Sequence, residues 1–384
     1  MKEWIRNKYQ RLLSICRYAV MFLFSAFPLS DTVVFSSYRG QYYNDNPLCI
    51  YQEFLKRRLP YKYVWLMKNP KVKIEGATVI KEGSISALFY LATSRVWVDN
   101  CRKKWGIRKR KGQYYVQTWH ADMALKKVEK DAIHSLRPYY VRGAINDSKM
   151  ASIFVSSSRW TSNNYRDSFW YSGRILESGS PRSDVFFSPV APIRQKVLRQ
   201  YGLQEGTSII LYAPTFRSDG DVSCYDIDYN RLLKSITIPG NWIMIIRLHP
   251  NIASQDSIIQ YSECVLNGST YPSINELIIA SDIVITDYSS CMFDGMAAKK
   301  RVILYASDID KYLADRGFYF HLDEMPFPIT RTTDELINVI NTLKNEDYFA
   351  CVASFQNELG YVNDGKGSER VVNDIVSHVS KDRK

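Results

Sequence analysis

The sequence lacks most of the short motifs that mark a familiar active site. It contains no GxxxxGK[ST] loop, no GxGxxG turn after an apolar run, no HExxH and no GxSxG. These absences argue against P-loop kinases, Rossmann dehydrogenases, zinc proteases and α/β-hydrolases. The seven cysteines show no CxxC or zinc-type spacing, which predicts reduced thiols and no protein-held metal.

Long apolar runs, internal repeats and low-complexity segments are also missing. The apolar run from Tyr18 to Leu29 is too short to cross a bilayer, which takes about 20 residues. Solenoid and disordered architectures are therefore excluded, and we expect an ordinary globular protein of two domains.

Positive charge is abundant, with 51 Lys and Arg against 39 Asp and Glu and a formal net charge of +12. Such a balance indicates an anionic partner, either nucleic acid, phospholipid or a phosphorylated substrate. No helix-turn-helix, zinc-finger or RNP-type pattern accompanies the charge, so we expect no nucleic-acid partner.

Two segments have the composition of a membrane surface. In residues 1–30, apolar side chains recur at helical spacing among basic ones, which predicts an interfacial helix. A packed N-terminal helix and a signal peptide are the alternatives. The second segment, residues 102–111, is a basic cluster around Trp105 and Ile107, typical of a membrane surface or of a solvated loop.

From Asp31 onward, β-branched and aromatic runs alternate with amphipathic stretches, which predicts an α/β protein with parallel sheets. Prolines near residue 190 indicate a boundary, so we expect an N-terminal α/β domain over 31–190 and a second over 191–384. We expect two doubly wound domains that face each other across a cleft. The predicted strands are Thr32–Ser36, Tyr63–Leu66, Val96–Val98, Tyr114–Thr118, Ile153–Ser156, Ser208–Tyr212, Trp242–Arg247, Ile283–Thr286 and Val302–Tyr305, and a helix is predicted over Gly367–Val379.

Ligands of such sheets gather at the carboxyl ends of strands, and several polar residues lie there. His120 follows one strand and is a candidate general base, because the pKa of histidine lies near working pH. Arg247 and His249 follow another, where a guanidinium and an imidazole suit a pyrophosphate. Ser289 and Ser290 follow a third at a helix start, which favours phosphate.

Each of these features also has an ordinary structural explanation, such as a paired arginine or a serine cap. Two more strand ends deliver a hydroxyl and an arginine, namely Thr215 with Arg217 and Ser180 with Arg182. Repetition of the pattern favours a functional site over coincidence.

Seven strings of residues resemble the CDP-glycerol glycerophosphotransferase family of teichoic-acid primases and polymerases, in the order of that family and over nearly the whole chain. They are Phe35-Ser36-Ser37 with Asp45-Asn46-Pro47, Gln117-Thr118-Trp119-His120, Gly179-Ser180-Pro181-Arg182-Ser183-Asp184, Tyr212-Ala213-Pro214-Thr215-Phe216-Arg217, Arg247-Leu248-His249-Pro250, Thr286-Asp287-Tyr288-Ser289-Ser290 with Phe293-Asp294, and Asp364-Gly365-Lys366-Gly367-Ser368-Glu369-Arg370.

The resemblance implies a GT-B-like pair of Rossmann-like domains attached peripherally to the cytoplasmic face of the membrane. It implies transfer of a polyol phosphate from CDP-glycerol, or another CDP-polyol, to an undecaprenyl-diphosphate-linked glycan or growing chain, with release of CMP. Teichoic acid or capsule synthesis is the implied process. Any Mg²⁺ would be held by the donor pyrophosphate.

The resemblance also implies roles for individual residues. His120 would be the base, and the acceptor side would include Trp119, Asp122 and Arg182. His249 would be a second catalytic residue and would hold the donor phosphates with Arg247. The other residues of the donor side would be Thr286, Ser289, Ser290, Arg217, Asp294, Ser368 and Glu369.

One departure from the family falls beside the base, because Ala121 stands where the family usually has glycine. If that backbone needs a positive φ, alanine costs about 1 kcal/mol or more. The next residue, Asp122, brings a carboxylate that is a candidate for orienting His120.

Three alternatives stay open. A CDP-ribitol ribitolphosphotransferase would share every string named above. A sugar-nucleotide glycosyltransferase of the same fold would release UDP instead of CMP, and an epimerase would interconvert sugar nucleotides. A non-catalytic protein that binds membranes or anionic polymers would use the charge and leave the strand-end residues without a chemical role.

Overall fold

The computed structural model describes residues 2–215, 217, 225–248, 259–309 and 317–381 of the chain. The chain forms two compact units. The first comprises Met1–Asp122, Val128–Asp184 and Gly360–Lys384, and the second comprises Met123–Lys127 and Val185–Leu359.

The first unit is built on a sheet of seven parallel strands in the order β3-β2-β1-β4-β5-β6-β7. The strand order reverses between β1 and β4: the chain adds β2 and β3 on one side of β1 and then β4 to β7 on the other, as in doubly wound folds. The strands are β1 Ser30–Ser36, β2 Lys62–Met67, β3 Thr78–Lys81, β4 Ser94–Asp99, β5 Tyr114–Gln117, β6 Ile153–Ser156 and β7 Arg174–Glu177.

The apolar runs of this sheet are buried on both faces. In β1, Val33 and Phe35 pack into one hydrophobic cluster, while Val34 between them packs into another. Successive side chains of a strand point to opposite faces, so an uninterrupted apolar run fits a sheet covered by helices on both sides. The helices of this unit are α1 Lys2–Phe24, α2 Asp45–Lys56, α3 Ile85–Thr93, α4 Pro138–Met150, α5 Arg159–Ser168 and α12 Gly367–Lys381.

The last helix belongs to the first unit although it ends the chain. Val371, Ile375 and Val379 of α12 lie in the same buried cluster as Val33 and Phe35. The predicted boundary at residue 190 places this segment in the second domain, and the compact units therefore differ from the predicted domains after residue 359.

Helix α1 carries a row of exposed apolar side chains. Trp4 is 61% exposed, Leu12 59% and Phe22 67%, although α1 also contributes Met21 to a buried cluster. Within the described residues, no helix is long and apolar enough to span a membrane.

The second unit contains six parallel strands in the order β10-β9-β8-β11-β12-β13, which repeats the doubly wound pattern. Its strands are β8 Thr207–Ala213, β9 Asn241–Ile246, β10 Val265–Asn267, β11 Ile283–Thr286, β12 Arg301–Tyr305 and β13 Ile329–Thr330. Its described helices are α6 Val190–Gln200, α7 Tyr229–Lys234, α8 Ile274–Ala280, α9 Cys291–Ala297, α10 Thr333–Thr342 and α11 Asn345–Leu359.

All nine predicted strands and the helix at Gly367 are present, with small differences at their ends. The prediction of an α/β fold with two parallel sheets is therefore confirmed. The arrangement of the two units across a GT-B-like cleft stays a prediction.

Candidate functional site

His120 lies just beyond strand β5 in the first unit, and a hydrogen bond at one of its two ring nitrogens holds the ring. Its Nδ1 is 2.9 Å from the carbonyl oxygen of Asn100, which follows strand β4. A carbonyl oxygen only accepts, so Nδ1 carries the proton and Nε2 keeps its lone pair. Among the described residues, Nε2 has no hydrogen-bond partner. A neutral imidazole fixed in this tautomer is suited to accept a proton at Nε2.

The surroundings of His120 favour the neutral imidazole. Burial lowers its pKa and outweighs the opposing effects of the Asn100 carbonyl oxygen and the Asp45 carboxylate. The Trp119 ring centroid lies 4.4 Å from that of His120, and the Tyr38 centroid lies 5.5 Å away. Aromatic neighbours solvate an imidazolium less well than water does, so desolvation disfavours the charged form.

The backbone before His120 is strained at Trp119, whose φ is +53°. Ala121 lies outside the left-handed region, so an alanine there carries no penalty of positive φ. The expected conflict between Ala121 and its backbone is therefore absent. The strain falls one residue before His120, where aromatic packing of Trp119 on Phe169 at 4.9 Å helps to hold the turn.

Asp122 has a different role from the one expected for it. Its Oδ2 accepts hydrogen bonds from Ser183 Oγ at 2.7 Å and from Asn363 Nδ2 at 2.7 Å, and another from Tyr361 at 3.2 Å. The hypothesis that Asp122 orients His120 is wrong, because the Asn100 carbonyl oxygen occupies the orienting position. Asp122 instead ties together segments that are distant in sequence.

Asn46 connects the turn at His120 with the turn at Arg182. Its Nδ2 donates to the Trp119 carbonyl oxygen at 3.1 Å, and its Oδ1 accepts from Ser180 Oγ at 3.0 Å and from the Arg182 backbone N–H at 2.8 Å. Asn46 is buried, with 1% of its surface exposed, so these bonds form away from water. Three of the seven strings thus meet at one side chain.

Arg182 lies close to Asp45, with Nε 3.4 Å from Oδ2 of the carboxylate. Asp45 also accepts from Tyr38 OH at 3.0 Å and from Asn100 Nδ2 at 3.2 Å, and its φ is +64°. The structure therefore brings Trp119, His120 and Arg182 into one partly buried polar network with Asp45 and Asn100. This network is the candidate acceptor side.

In the second unit, Arg217 is buried between two carboxylates. Its Nη1 lies 2.8 Å from Asp287 Oδ2, and its Nε lies 2.7 Å from Asp308 Oδ2. The Tyr288 ring covers the guanidinium at 5.0 Å, and its hydroxyl donates to Asp308 at 3.0 Å. These contacts join the carboxyl ends of β8, β11 and β12, beside the point between β8 and β11 where the strand order reverses.

Other predicted donor residues of the second unit are partly occupied by internal bonds. Thr286 is fully buried and donates to the Ala213 carbonyl oxygen at 2.7 Å. Arg247 donates to the Gly268 carbonyl oxygen at 3.2 Å, and burial lowers its pKa. Asp294 is buried within α9.

Ser289 and Ser290 are half-buried at the start of α9, and Ser290 makes no side-chain capping bond. His249 lies outside the described residues. The donor-binding roles of all these residues stay predictions.

Ser368 and Glu369 lie in the first unit, at the start of α12. The Asp184 carboxylate accepts from the backbone N–H groups of Gly367 and Ser368, both at 2.8 Å, and so caps this helix. A Cβ on Gly367 would lie 3.0 Å from the Gly179 carbonyl oxygen, so glycine allows this close approach. The Asp184 carboxylate thus occupies the first backbone N–H groups of this helix, and the donor-binding roles of Ser368 and Glu369 stay predictions.

The residue that sequence analysis missed is Asn100. The signal was available, because Asp99-Asn100 follows strand β4 just as His120 follows β5. Within the described part of the chain, no three His, Cys, Asp or Glu side chains are grouped closely enough to hold a metal ion.

Comparison with known proteins gives a consistent assignment. The model of a family described as CDP-Glycerol:Poly(glycerophosphate) glycerophosphotransferase matches residues 19–377. A teichoic acid poly(glycerol phosphate) polymerase of Bacillus spizizenii is 29% identical, over 98% of this chain and 100% of its own. Another, of Staphylococcus epidermidis, is 31% identical over 88% of this chain, which spans 50% of that relative's length.

The fold agrees with that assignment. A structure of a variant of the wall teichoic acid polymerase TagF, soaked with CDPG, matches with a TM-score of 0.84 and 26% identity over 99% of both chains. The chain belongs to the CDP-glycerol:poly(glycerophosphate) glycerophosphotransferase family.

Proposed function

We propose that this protein transfers glycerol phosphate from CDP-glycerol to a hydroxyl of a lipid-linked glycan or growing poly(glycerol phosphate) chain, with release of CMP. The observation that carries this proposal is the state of His120. Its Nδ1 is occupied by the Asn100 carbonyl oxygen, and its lowered pKa leaves Nε2 unprotonated at neutral pH. Membership of the family supplies the donor.

In this reaction Nε2 of His120 takes the proton of the acceptor hydroxyl as its oxygen attacks the phosphorus that bears the glycerol. The bond from that phosphorus to the bridging oxygen breaks, and CMP leaves with the electron pair. The new bond is a phosphodiester. Such transfers depend mainly on positioning and charge stabilisation, for which Arg247, His249, Ser289 and Ser290 are the proposed donor ligands.

Glycerol is the proposed polyol in preference to ribitol. A relative that matches this chain over 98% of its length and 100% of the relative's own is named a teichoic acid poly(glycerol phosphate) polymerase. We propose that the acceptor is linked to undecaprenyl diphosphate. An enzyme that works at the membrane surface fits a polymer that is built on a membrane lipid.

Peripheral attachment to the cytoplasmic face of the membrane is proposed through α1. Exposed Trp4, Leu12 and Phe22 give this helix an apolar face that water solvates poorly. A helix with such a face and basic residues on its flanks binds at the boundary between headgroups and acyl chains.

The test is CMP release from CDP-glycerol in the presence of a lipid-linked acceptor. We expect His120→Ala to lower the rate by about 10²- to 10⁴-fold, the usual contribution of a general base, and to leave CDP-glycerol binding nearly unchanged. The matched control is His134→Ala, because His134 is an exposed histidine of the same unit. Retention of more than about a tenth of the wild-type rate by His120→Ala would remove the base assignment.

The same assay separates the alternatives. A ribitol transferase would release CMP from CDP-ribitol and not from CDP-glycerol. A non-catalytic binding protein would release CMP from neither donor and would show no affinity for the nucleotide.

A further inference from the structure

Two adjoining cavities open in the first unit between α1, α4 and the segment after β4. They share five cationic side chains in their walls, and the larger has a volume of about 110 Å³, room for several water molecules. The shared cations are Arg17, Arg39, Arg102, Lys103 and Lys104. We call these two spaces together the cationic cavity. Two carboxylates also line it, Glu82 at 3.1 Å from Lys104 and Asp99 at 2.6 Å from Lys103, whereas cysteine, histidine and the candidate acceptor residues do not.

The inner wall of the cationic cavity is formed by cations that are themselves buried. Arg102 is 4% exposed and is held by Glu129 at 3.1 Å and Asp147 at 3.2 Å. Lys103 is 8% exposed and lies 2.6 Å from Asp99. These residues belong to the basic segment 102–111, which was expected at a membrane surface or in a solvated loop. Burial of its first two residues corrects that expectation.

One donor of this inner wall remains unused. Among the described residues, the buried Nε–H of Arg102 has no hydrogen-bond acceptor, although the two Nη atoms are fully engaged. A buried donor without an acceptor costs about 1–3 kcal/mol, so the acceptors of the protein leave the inner wall short of one hydrogen bond.

The rim of the cationic cavity holds two arginines without carboxylate partners among the described residues. Arg17 donates to the Trp105 carbonyl oxygen at 3.0 Å, and Arg39 makes no hydrogen bond or ion pair within the described chain. Arg39 sits in a turn where Tyr38, Arg39 and Gly40 all have positive φ, at 46°, 57° and 76°. Two successive non-glycine residues in that region are strained, and such strain is found where a side chain is held for a function.

We propose that the cationic cavity binds a phosphate or diphosphate group carried by a membrane lipid. Arginine forks match phosphate oxygens, and a site with surplus guanidinium donors is built for an anion with several acceptors. The lipid source follows from α1, because Gln10 and Arg17 of this helix line the cavity while Trp4 and Leu12 lie exposed on its other side. Only this choice of source depends on the membrane attachment proposed above.

The cationic cavity is joined to the candidate acceptor side by a single turn. Tyr38 packs against His120 at 5.5 Å, and the next residue, Arg39, lines the cavity. Asp99 lines it as well, and Asn100, which follows, holds the His120 ring. A lipid phosphate bound at Arg39 would therefore lie beside the segments that position the base.

The test uses the full chain with CDP in excess, so that nucleotide sites are filled. Two soluble probes are titrated by calorimetry: inorganic diphosphate, and a short-chain phosphatidylglycerol kept below its micellar concentration. The variant is Arg39→Gln, which removes an exposed charge and leaves the number of residues in the turn unchanged. The matched control is Arg108→Gln, because Arg108 is an exposed arginine of the same unit that covers the Tyr18 ring at 5.3 Å and does not line the cavity.

We expect Arg39→Gln to weaken phosphatidylglycerol binding by about tenfold, the loss of one charge-assisted hydrogen bond, and Arg108→Gln to change it less than about twofold. Arg17→Gln should repeat the loss, with thermal unfolding as the check on folding. If Arg39→Gln weakened only the binding of inorganic diphosphate, the proposal that a membrane lipid carries the phosphate would be overturned. If Arg39→Gln and Arg108→Gln changed the binding of both probes equally, or if neither variant changed it, the assignment of the cationic cavity as the binding site would be overturned. The assay measures no CMP release, so its failure leaves the proposed function standing.

Discussion

The Nδ1 atom of His120 lies 2.9 Å from the carbonyl oxygen of Asn100, which fixes the tautomer of the imidazole without a carboxylate. Catalytic histidines are often oriented by a negative side chain, which raises the pKa of the ring. Here the orienting group is neutral and burial dominates, so the pKa of His120 is lowered.

The pH dependence of CMP release follows from that direction. A base works only when it is unprotonated, so activity falls as the pH drops through its pKa. Because the pKa of His120 is lowered, we expect the midpoint of the acidic limb of kcat/KM to lie at a pH below about 6.5, the ordinary pKa of histidine. The control variant His134→Ala should show its acidic limb at the same pH as the wild-type protein. A limb centred at or above that value would contradict the assignment.

Ala121→Gly tests whether the departure from the family matters. The strained residue of this turn is Trp119, at φ +53°, and Ala121 needs no positive φ. We therefore expect Ala121→Gly to change the rate of CMP release less than about twofold and to lower stability by up to about 1 kcal/mol through added chain entropy. A severalfold gain in rate would show that alanine constrains the loop.

Asp122→Asn separates a structural role from an orienting one. Three donors converge on Asp122 Oδ2, from Ser183, Asn363 and Tyr361, and a neutral amide oxygen accepts hydrogen bonds less strongly than a carboxylate oxygen. We expect a loss of about 1–3 kcal/mol in the free energy of unfolding, measured in denaturant, with the acidic limb of kcat/KM unmoved. Asp167→Asn, at an exposed carboxylate of the same unit, is the control. A shifted limb with unchanged stability would restore the orienting role.

Arg217→Ala tests the second unit. Removal of the guanidinium leaves Asp287 and Asp308 without their shared cation, and breaking a buried ion pair costs about 3–5 kcal/mol. We expect a lower thermal midpoint, with Arg217→Lys recovering part of it. If Arg217 instead served mainly as a donor ligand, the midpoint would stay near the wild-type value while KM for CDP-glycerol rose.

The central strands could be predicted from sequence because they are continuous apolar runs. Strand β1, with Val33-Val34-Phe35 buried on both faces, is such a case. Strand β3 was missed because it is a half-exposed edge strand of four residues that ends in a lysine. Strand β10 is three residues long, too short for any periodicity.

The candidate site was only partly predictable. The position of His120 follows from a local rule, since it comes directly after an apolar run. Its partner Asn100 is distant in sequence, and the bond uses a backbone oxygen that no residue type announces. Likewise, Asp184 caps a helix that begins at Gly367. Bonds between residues so far apart depend on tertiary packing, which a single sequence does not reveal.

The position of α12 has a consequence for how the protein is made. The ribosome produces most of the first unit early, but Val371, Ile375 and Val379, which complete its buried cluster, come last. Domains normally fold as they emerge, N-terminal first. Here the unit that emerges first is finished last, so one face of its sheet is covered only in part, by α2, while most of the second unit is translated.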